Sequence, residues 1–79
     1  MSPTVFRYKN YRFFFFSREE SRTHVHVMSS DGEAKFWIEP MIALADYSGY
    51  SQRQLKELSR IVEKYDKEIK EAWKKHFNR

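Results

Sequence analysis

Two short runs rich in aromatic and β-branched residues open the chain, Thr4–Tyr8 and residues 11–16, separated by Lys9-Asn10. Both suit strands, because such side chains pack well on a pleated surface. With Lys9-Asn10 as a two-residue hairpin turn, Tyr8 lies opposite Tyr11, Arg7 opposite Arg12 and Phe6 opposite Phe13. A period of two then puts Phe6, Tyr8, Tyr11, Phe13 and Phe15 on one face, and Val5, Arg7, Arg12, Phe14 and Phe16 on the other. The uninterrupted run from Phe13 to Phe16 predicts a strand covered on both sides and central in its sheet.

An all-polar connection, Ser17-Arg18-Glu19-Glu20-Ser21-Arg22, leads to a second hairpin, residues 23–28 and 33–39 around Ser30-Asp31-Gly32. Asp-Gly is a strong hairpin signal. With Asp31 and Gly32 as the central turn residues, Val27 faces Phe36, Val25 faces Ile38 and Ser29 faces Ala34, forming the core face. His24, His26, Met28, Lys35, Trp37 and Glu39 project from the opposite face, and a loop changed by two residues preserves that parity. Pro40 lacks an N–H and ends the strand. Residues 41–47 suit a short strand or a turn of helix equally, and residues 41–50 are taken as a connection.

The last third of the chain changes period. Ser51 and Gln54 form a capping box, with Tyr50 and Leu55 at the staple positions. Leu55, Leu58, Val62, Tyr65, Ile69, Ala72 and His76 recur at spacings of three and four, and Ile61, Trp73 and Phe77 widen the stripe. This periodicity predicts one long amphipathic helix over residues 51–78, with a break near Asp66 still compatible. Glu63–Lys67, Asp66–Lys70 and Glu71–Lys75 stand in the favourable i,i+4 order. A helix of about 40 Å exceeds strands of about 20 Å. The overhang around Trp73 and Phe77 therefore implies a partner chain or a homo-oligomer formed through the helix. The expected fold is α+β, a small antiparallel sheet of two hairpins (about four strands) packed with one helix in a single domain, residues 1–79.

Composition sharpens this reading. A chain of 79 residues buries only about 60–65% of its unfolded surface, so its core must rely on large rings. There is no cysteine, which fits a reducing compartment and excludes disulfides, thiol nucleophiles and Cys-type metal sites. No run approaches the ~18 apolar residues of a membrane span, and the first residues lack the features of a signal peptide. A cytoplasmic protein without a membrane partner is expected. The net charge of +4 lies entirely in residues 51–79, where nine basic side chains meet five acidic ones. Such an excess favours nucleic acid or an acidic protein weakly, and a solvated helix face is the simpler explanation.

The histidine pair carries the candidate chemistry, and three readings stay open. In the first, His24 and His26 share general acid and base roles in RNA cleavage by a 2′-hydroxyl. Lys35, with Arg18 or Arg22, then offsets the developing negative charge, Trp37 stacks a base, and Glu39 completes the set. In the second, His24 and His26 join Glu39, or Glu19 or Glu20, around a divalent metal ion. In the third, both are polar residues of a solvated or partner-covered face. The segment 17–22 suits phosphate contacts or a solvated connection, and His76 is a packed or half-exposed stripe residue. No Gly-rich phosphate loop, Ser-His-Asp order or nucleotide fingerprint occurs.

Several blocks together carry a family resemblance. They are Pro3-Thr4-Val5-Phe6-Arg7-Tyr8, Tyr11-Arg12-Phe13-Phe14-Phe15-Phe16-Ser17, Glu19-Glu20, His24-Val25-His26-Val27, Ala34-Lys35-Phe36-Trp37 and Glu71-Ala72-Trp73. In them the chain resembles a small bacterial family catalogued as domain of unknown function 4160. The resemblance implies a small cytoplasmic protein, often encoded beside a second small protein of an uncharacterised family numbered 2442. That arrangement is similar to a type II toxin–antitoxin pair, with this family as the toxin and a small antitoxin-like partner. The matching motif residues are Glu19, Glu20, His24, His26, Lys35 and Trp37. Arg22-Thr23 precedes His24 here, where relatives tend to show a proline. A non-enzymatic protein- or nucleic-acid-binding module, antitoxin-like in role, and a metal-dependent hydrolase are the alternatives.

Overall fold

Lys9 adopts a left-handed backbone, φ 53°, and so turns Thr4–Tyr8 (β1) back onto Tyr11–Phe14 (β2). Tyr8 pairs with Tyr11, Arg7 with Arg12 and Phe6 with Phe13, as the sequence pattern predicts, before a bulge shifts Thr4 opposite Phe14. A computed structural model describes residues 4–16 and 22–77 of the chain. The sheet continues through His24–Ser29 (β3), Gly32–Trp37 (β4) and Ala43–Ser48 (β5), all antiparallel in the order β1-β2-β3-β4-β5. β2 is an interior strand, and Phe13, Phe14 and Phe15 are all buried, as expected for a strand covered on both faces.

Five strands replace the expected four, and of the two alternatives for residues 41–47 the short strand is the one formed. β5 pairs with β4 along the sheet edge and carries a bulge at Ala45, between the pairs Lys35–Asp46 and Phe36–Leu44. All its residues but Ala43 are exposed. It is a strand through its ladder rather than through burial, and so leaves no period in the sequence.

The β3–β4 turn also differs by two residues from its expected register. Ser29 pairs with Gly32, so Ser30 and Asp31 are the turn; Val27 meets Ala34 and Val25 meets Phe36. The faces keep their parity. Gly32 is not needed for a left-handed backbone here. It is needed for space, because a Cβ at Gly32 would lie 2.1 Å from the Ser48 carbonyl oxygen. A Cβ at Gly49, whose φ is +88°, would lie 2.3 Å from the Asp31 carbonyl oxygen. Tyr50 secures the same junction: its hydroxyl donates to the Gly32 carbonyl at 2.8 Å, leaving Ser29 Oγ, 2.9 Å away, to donate to it.

The capping box forms, with Ser51 accepting from the Gln54 N–H and Gln54 accepting from the Ser51 N–H. Gln54 also donates to Asp31 Oδ2 at 3.1 Å, tying the helix start to the β3–β4 turn. The single long helix is corrected to two, α1 (Gln52–Lys64) and α2 (Asp66–Phe77). Tyr65 between them has φ −107° and ψ 20°. The hydrogen-bond ladder crosses the bend, since the Tyr65 N–H reaches the Ile61 carbonyl at 3.0 Å and the Ile69 N–H reaches the Tyr65 carbonyl at 2.9 Å. The Tyr65 ring docks on Phe6, centroids 4.8 Å apart.

This bend removes the expected overhang. α2 seats Ile69 in the core and brings Trp73 and Phe77 to 5.2 and 6.1 Å from the Phe15 ring. The longest dimension of the molecule is 35 Å, shorter than a straight helix of about 40 Å. Helix length therefore no longer implies a partner chain or a homo-oligomer. Of the three expected i,i+4 pairs, Asp66–Lys70 forms at 3.5 Å, and among the described residues the other two do not close. No helix is long and apolar enough to cross a membrane among the described residues.

Both helices cover one face of the sheet. Val25, Val27 and Phe36 from the strands, with Ile38 just beyond β4, meet Leu55, Leu58, Val62 and Ile69 from the helices. Each such side chain contributes roughly 1.5–3 kcal/mol by leaving water.

Three measurements check this architecture. Gly32→Ala is expected to cost about 2–3 kcal/mol in urea unfolding, because the obstructing atom is backbone. Tyr50→Phe is expected to cost about 1–2 kcal/mol by leaving the Gly32 carbonyl unpaired. Stability against pH should fall at both ends. Burial raises the Tyr50 pKa above its ordinary 10.0, so its contribution is intact below pH 10.0 and declines as pH rises toward the folded value. Hydrogen bonds from Lys9 and then Tyr8 lower the Glu57 pKa below 4.5, so that contribution is intact above pH 4.5 and declines as acid titrates the carboxylate.

Candidate functional site

With Val25 and Val27 committed to the helix-covered side, the alternation of β3 turns His24 and His26 to the other face. β4 places Trp37 directly across from His24 and Lys35 across from His26. β2 places Phe14 on the other side of His26. Four expected residues are thus brought together by the sheet ladder itself.

The two histidines are not equivalent. Their rings lie 5.0 Å apart at 83°. His24 has no exposed surface; it is enclosed by His26, by Trp37 at 5.5 Å and by Trp73 of α2 at 5.2 Å. Its Nδ1 is 2.7 Å from the Arg22 carbonyl oxygen. A carbonyl only accepts, so Nδ1 carries the proton in this contact. His26 is half-buried, between Phe14 at 5.6 Å and Phe16 at 4.3 Å. Of the pair, His26 is the more exposed, although its Nε2 is itself buried.

Trp37 organises the cations. The Arg22 guanidinium carbon lies 4.0 Å from its ring centroid and Lys35 Nζ lies 4.4 Å from it. Such contacts are worth about 0.5–2 kcal/mol and hold flexible side chains in place. The expected role of Trp37 as an open stacking platform is corrected accordingly, because two cations already occupy its ring. Phe16, 44% exposed, offers the more accessible ring. Arg12 adds a third cation over Phe14, 4.5 Å from the centroid.

Glu39 stands apart from the histidines. It lies beyond the end of β4, its carboxylate accepting from Thr23 Oγ1 at 3.2 Å and its carbonyl accepting from Arg22 Nε at 2.8 Å. It braces the entry to β3. Among the described residues no three His, Asp or Glu side chains converge into a metal-binding group, so His24, His26 and Glu39 do not form the expected alternative metal site. Arg18, Glu19 and Glu20 lie outside the described residues.

Beside His26 and Lys35 the open face dips into a pocket of about 240 Å³. Phe16, Glu33, Ala34, Asp46, Tyr47 and Ser48 complete its lining. Sequence reasoning missed these residues. Phe16 was legible by parity alone, but its place beside His26 depends on the β2–β3 pairing across a long polar connection. Asp46, Tyr47 and Ser48 depend on β5.

Residues 10–74 match the family described as Domain of unknown function (DUF4160). The chain belongs to that family. The DUF4160 match runs from the β1–β2 turn into α2 and takes in His24, His26, Lys35, Trp37 and Trp73. Neither the curated proteins nor the solved structures compared with the chain give a match.

The unequal burial of the histidines has a measurable consequence. His24→Ala empties a fully enclosed site and strands the Arg22 carbonyl, and should cost about 2–4 kcal/mol in urea unfolding. His26→Ala should cost about 1 kcal/mol or less, as expected nearer the surface. Equal costs for the two would contradict the packing described.

Proposed function

We propose that this chain is the toxin-type member of a bacterial two-protein pair, and that it acts on RNA through the helix-free face of its sheet. The observation that carries this reading is the grouping on that face. His26 and His24 stand in ring contact, Lys35 is directly across from His26, and Arg22 and Lys35 both lie over Trp37. A half-buried imidazole at the edge of a pocket, beside held cations and an exposed phenyl ring, suits a single-stranded phosphodiester, whose charge meets the cations and whose bases stack on aromatic rings.

In this reading His26 exchanges the proton with the ribose hydroxyl or the leaving oxygen. Lys35 offsets the charge that develops on the phosphate, and Arg22 holds a neighbouring phosphate. His24 acts as a positioning residue, its ring fixed through Nδ1 to the Arg22 carbonyl and its edge set against His26. The pocket beside His26 admits a base or ribose. A small antitoxin-like protein covering this face would block all of these contacts together.

A second reading rests on the enclosure of His24 and the occupied ring of Trp37. The same face then binds RNA or a protein without chemistry, its cations and rings serving only as contacts.

The test uses induced expression in bacteria of the wild type, His26→Ala and the Lys35→Ala/Arg22→Ala variant, with growth and total RNA followed over time. Growth arrest with RNA cleavage by the wild type, lost in both variants while their circular dichroism is unchanged, is the expected result. Cleavage that persists in His26→Ala would remove the proton-transfer role. Binding of RNA without cleavage by the wild type would favour the second reading.

A further inference from the structure

On the layer opposite the histidine face, α1 carries a second ordered charge pattern. Arg53, Lys56, Arg60 and Lys64 follow one another at spacings of three, four and four residues. At 3.6 residues per turn they fall within about 80° of the helix circumference. That arc is centred nearly opposite the face of Leu55, Leu58 and Val62, which is buried against the sheet. All four cations are exposed, and they extend over about 17 Å at 1.5 Å per residue.

Their local carboxylates do not cancel them. Glu57 is shared: Lys9 reaches it at 2.7 Å and Tyr8 at 3.0 Å, while the Arg60 charge acts on it more weakly, and Glu63 lies at the margin of the arc. Among the described residues none of the four is in an ion pair, and Lys64 only caps the Tyr65 ring at 5.5 Å. The stripe is thus a row of four cations on a rigid, capped helix whose other side is anchored in the core.

The chemistry of the row selects its occupant. A protein interface draws its energy from buried aromatic and apolar anchors, and none of the four positions is apolar. A membrane-surface helix inserts its apolar face, and that face of α1 is already buried. A polyanion needs neither, since cations aligned along its backbone release condensed counterions.

We propose that the outward stripe of α1, Arg53, Lys56, Arg60 and Lys64, is a contact surface for the phosphodiester backbone of nucleic acid, bound without regard to base sequence. It is separate from the histidine face and does not depend on chemistry there. Where that face acts on RNA, the stripe raises the residence of the same polyanion on the molecule.

The experiment measures binding of a fluorescein-labelled 20-nucleotide single-stranded RNA and a DNA duplex of equal length by anisotropy across a salt series. Wild type is compared with R53Q/K56Q/R60Q/K64Q, with the charge-matched control K67Q/K70Q/K74Q/K75Q on α2, and with the open-face variant R22A/K35A. Circular dichroism confirms that each is folded. Neutralising the stripe is expected to flatten the slope of log K against log salt by about 3 for the RNA and about 4 for the duplex. The α2 control should move it far less. A greater loss for one nucleic acid identifies which backbone the stripe fits. The proposal is overturned if the α2 control flattens the slope as much as the stripe variant, if only the open-face variant loses binding, or if the wild type binds neither probe at low salt. The second of these outcomes leaves the histidine face standing as the nucleic-acid surface.

Discussion

Val25 and Val27 have no surface exposed to water, and the rest of the molecule is arranged around that burial. On a strand of period two, sealing these two residues under the helices forces His24 and His26 to the opposite side. A slip of one residue would turn the imidazoles into the apolar core under α1 and α2 and expose both valines, at a cost of several kcal/mol in lost transfer energy alone. The histidine face is therefore specified by the core, not by any interaction among the histidines.

Two devices keep that arrangement closed. The first is the junction where Tyr50, Gln54, Asp31, Gly32 and Gly49 tie the β3–β4 turn to the end of β5 and the start of α1. It aligns α1 over the core using backbone contacts that tolerate no added carbon at either glycine. The second is the bend at Tyr65, which seats its own ring on Phe6 and lets α2 follow the sheet rather than leave it. Trp73 then touches both Phe15 of the core side and His24 of the candidate site. A single side chain thus joins the helical layer to the histidine pair.

Much of this was legible in the chain, for reasons that are local. The register of β1 and β2 follows from a two-residue turn between alternating segments, and the capping box of Ser51 and Gln54 lies within four residues. The parity of His24, His26, Lys35 and Trp37 survived a register error of two because the side-chain period is two. What escaped was set by distant contacts. Gly32 looked like a turn glycine, whereas it is small because β5 passes against it. β5 itself carries no period because it buries almost nothing. The break near Asp66 was compatible with the helical stripe, but its direction is decided by Phe6, far away in sequence. The place of Phe14 and Phe16 beside His26 needed the β2–β3 pairing, which crosses a polar connection whose sequence fixes no register.

The claim at the centre of this account is that the helix-free face, and His26 and Lys35 in particular, is where RNA meets the protein. Titrating a short unlabelled single-stranded RNA into isotope-labelled protein, while recording backbone and imidazole NMR shifts, tests it directly. The account predicts saturable shifts at His26, Lys35, Phe16 and the Trp37 indole, with or without further shifts along α1. Shifts confined to the helical layer, with those open-face signals unmoved at saturation, would contradict it.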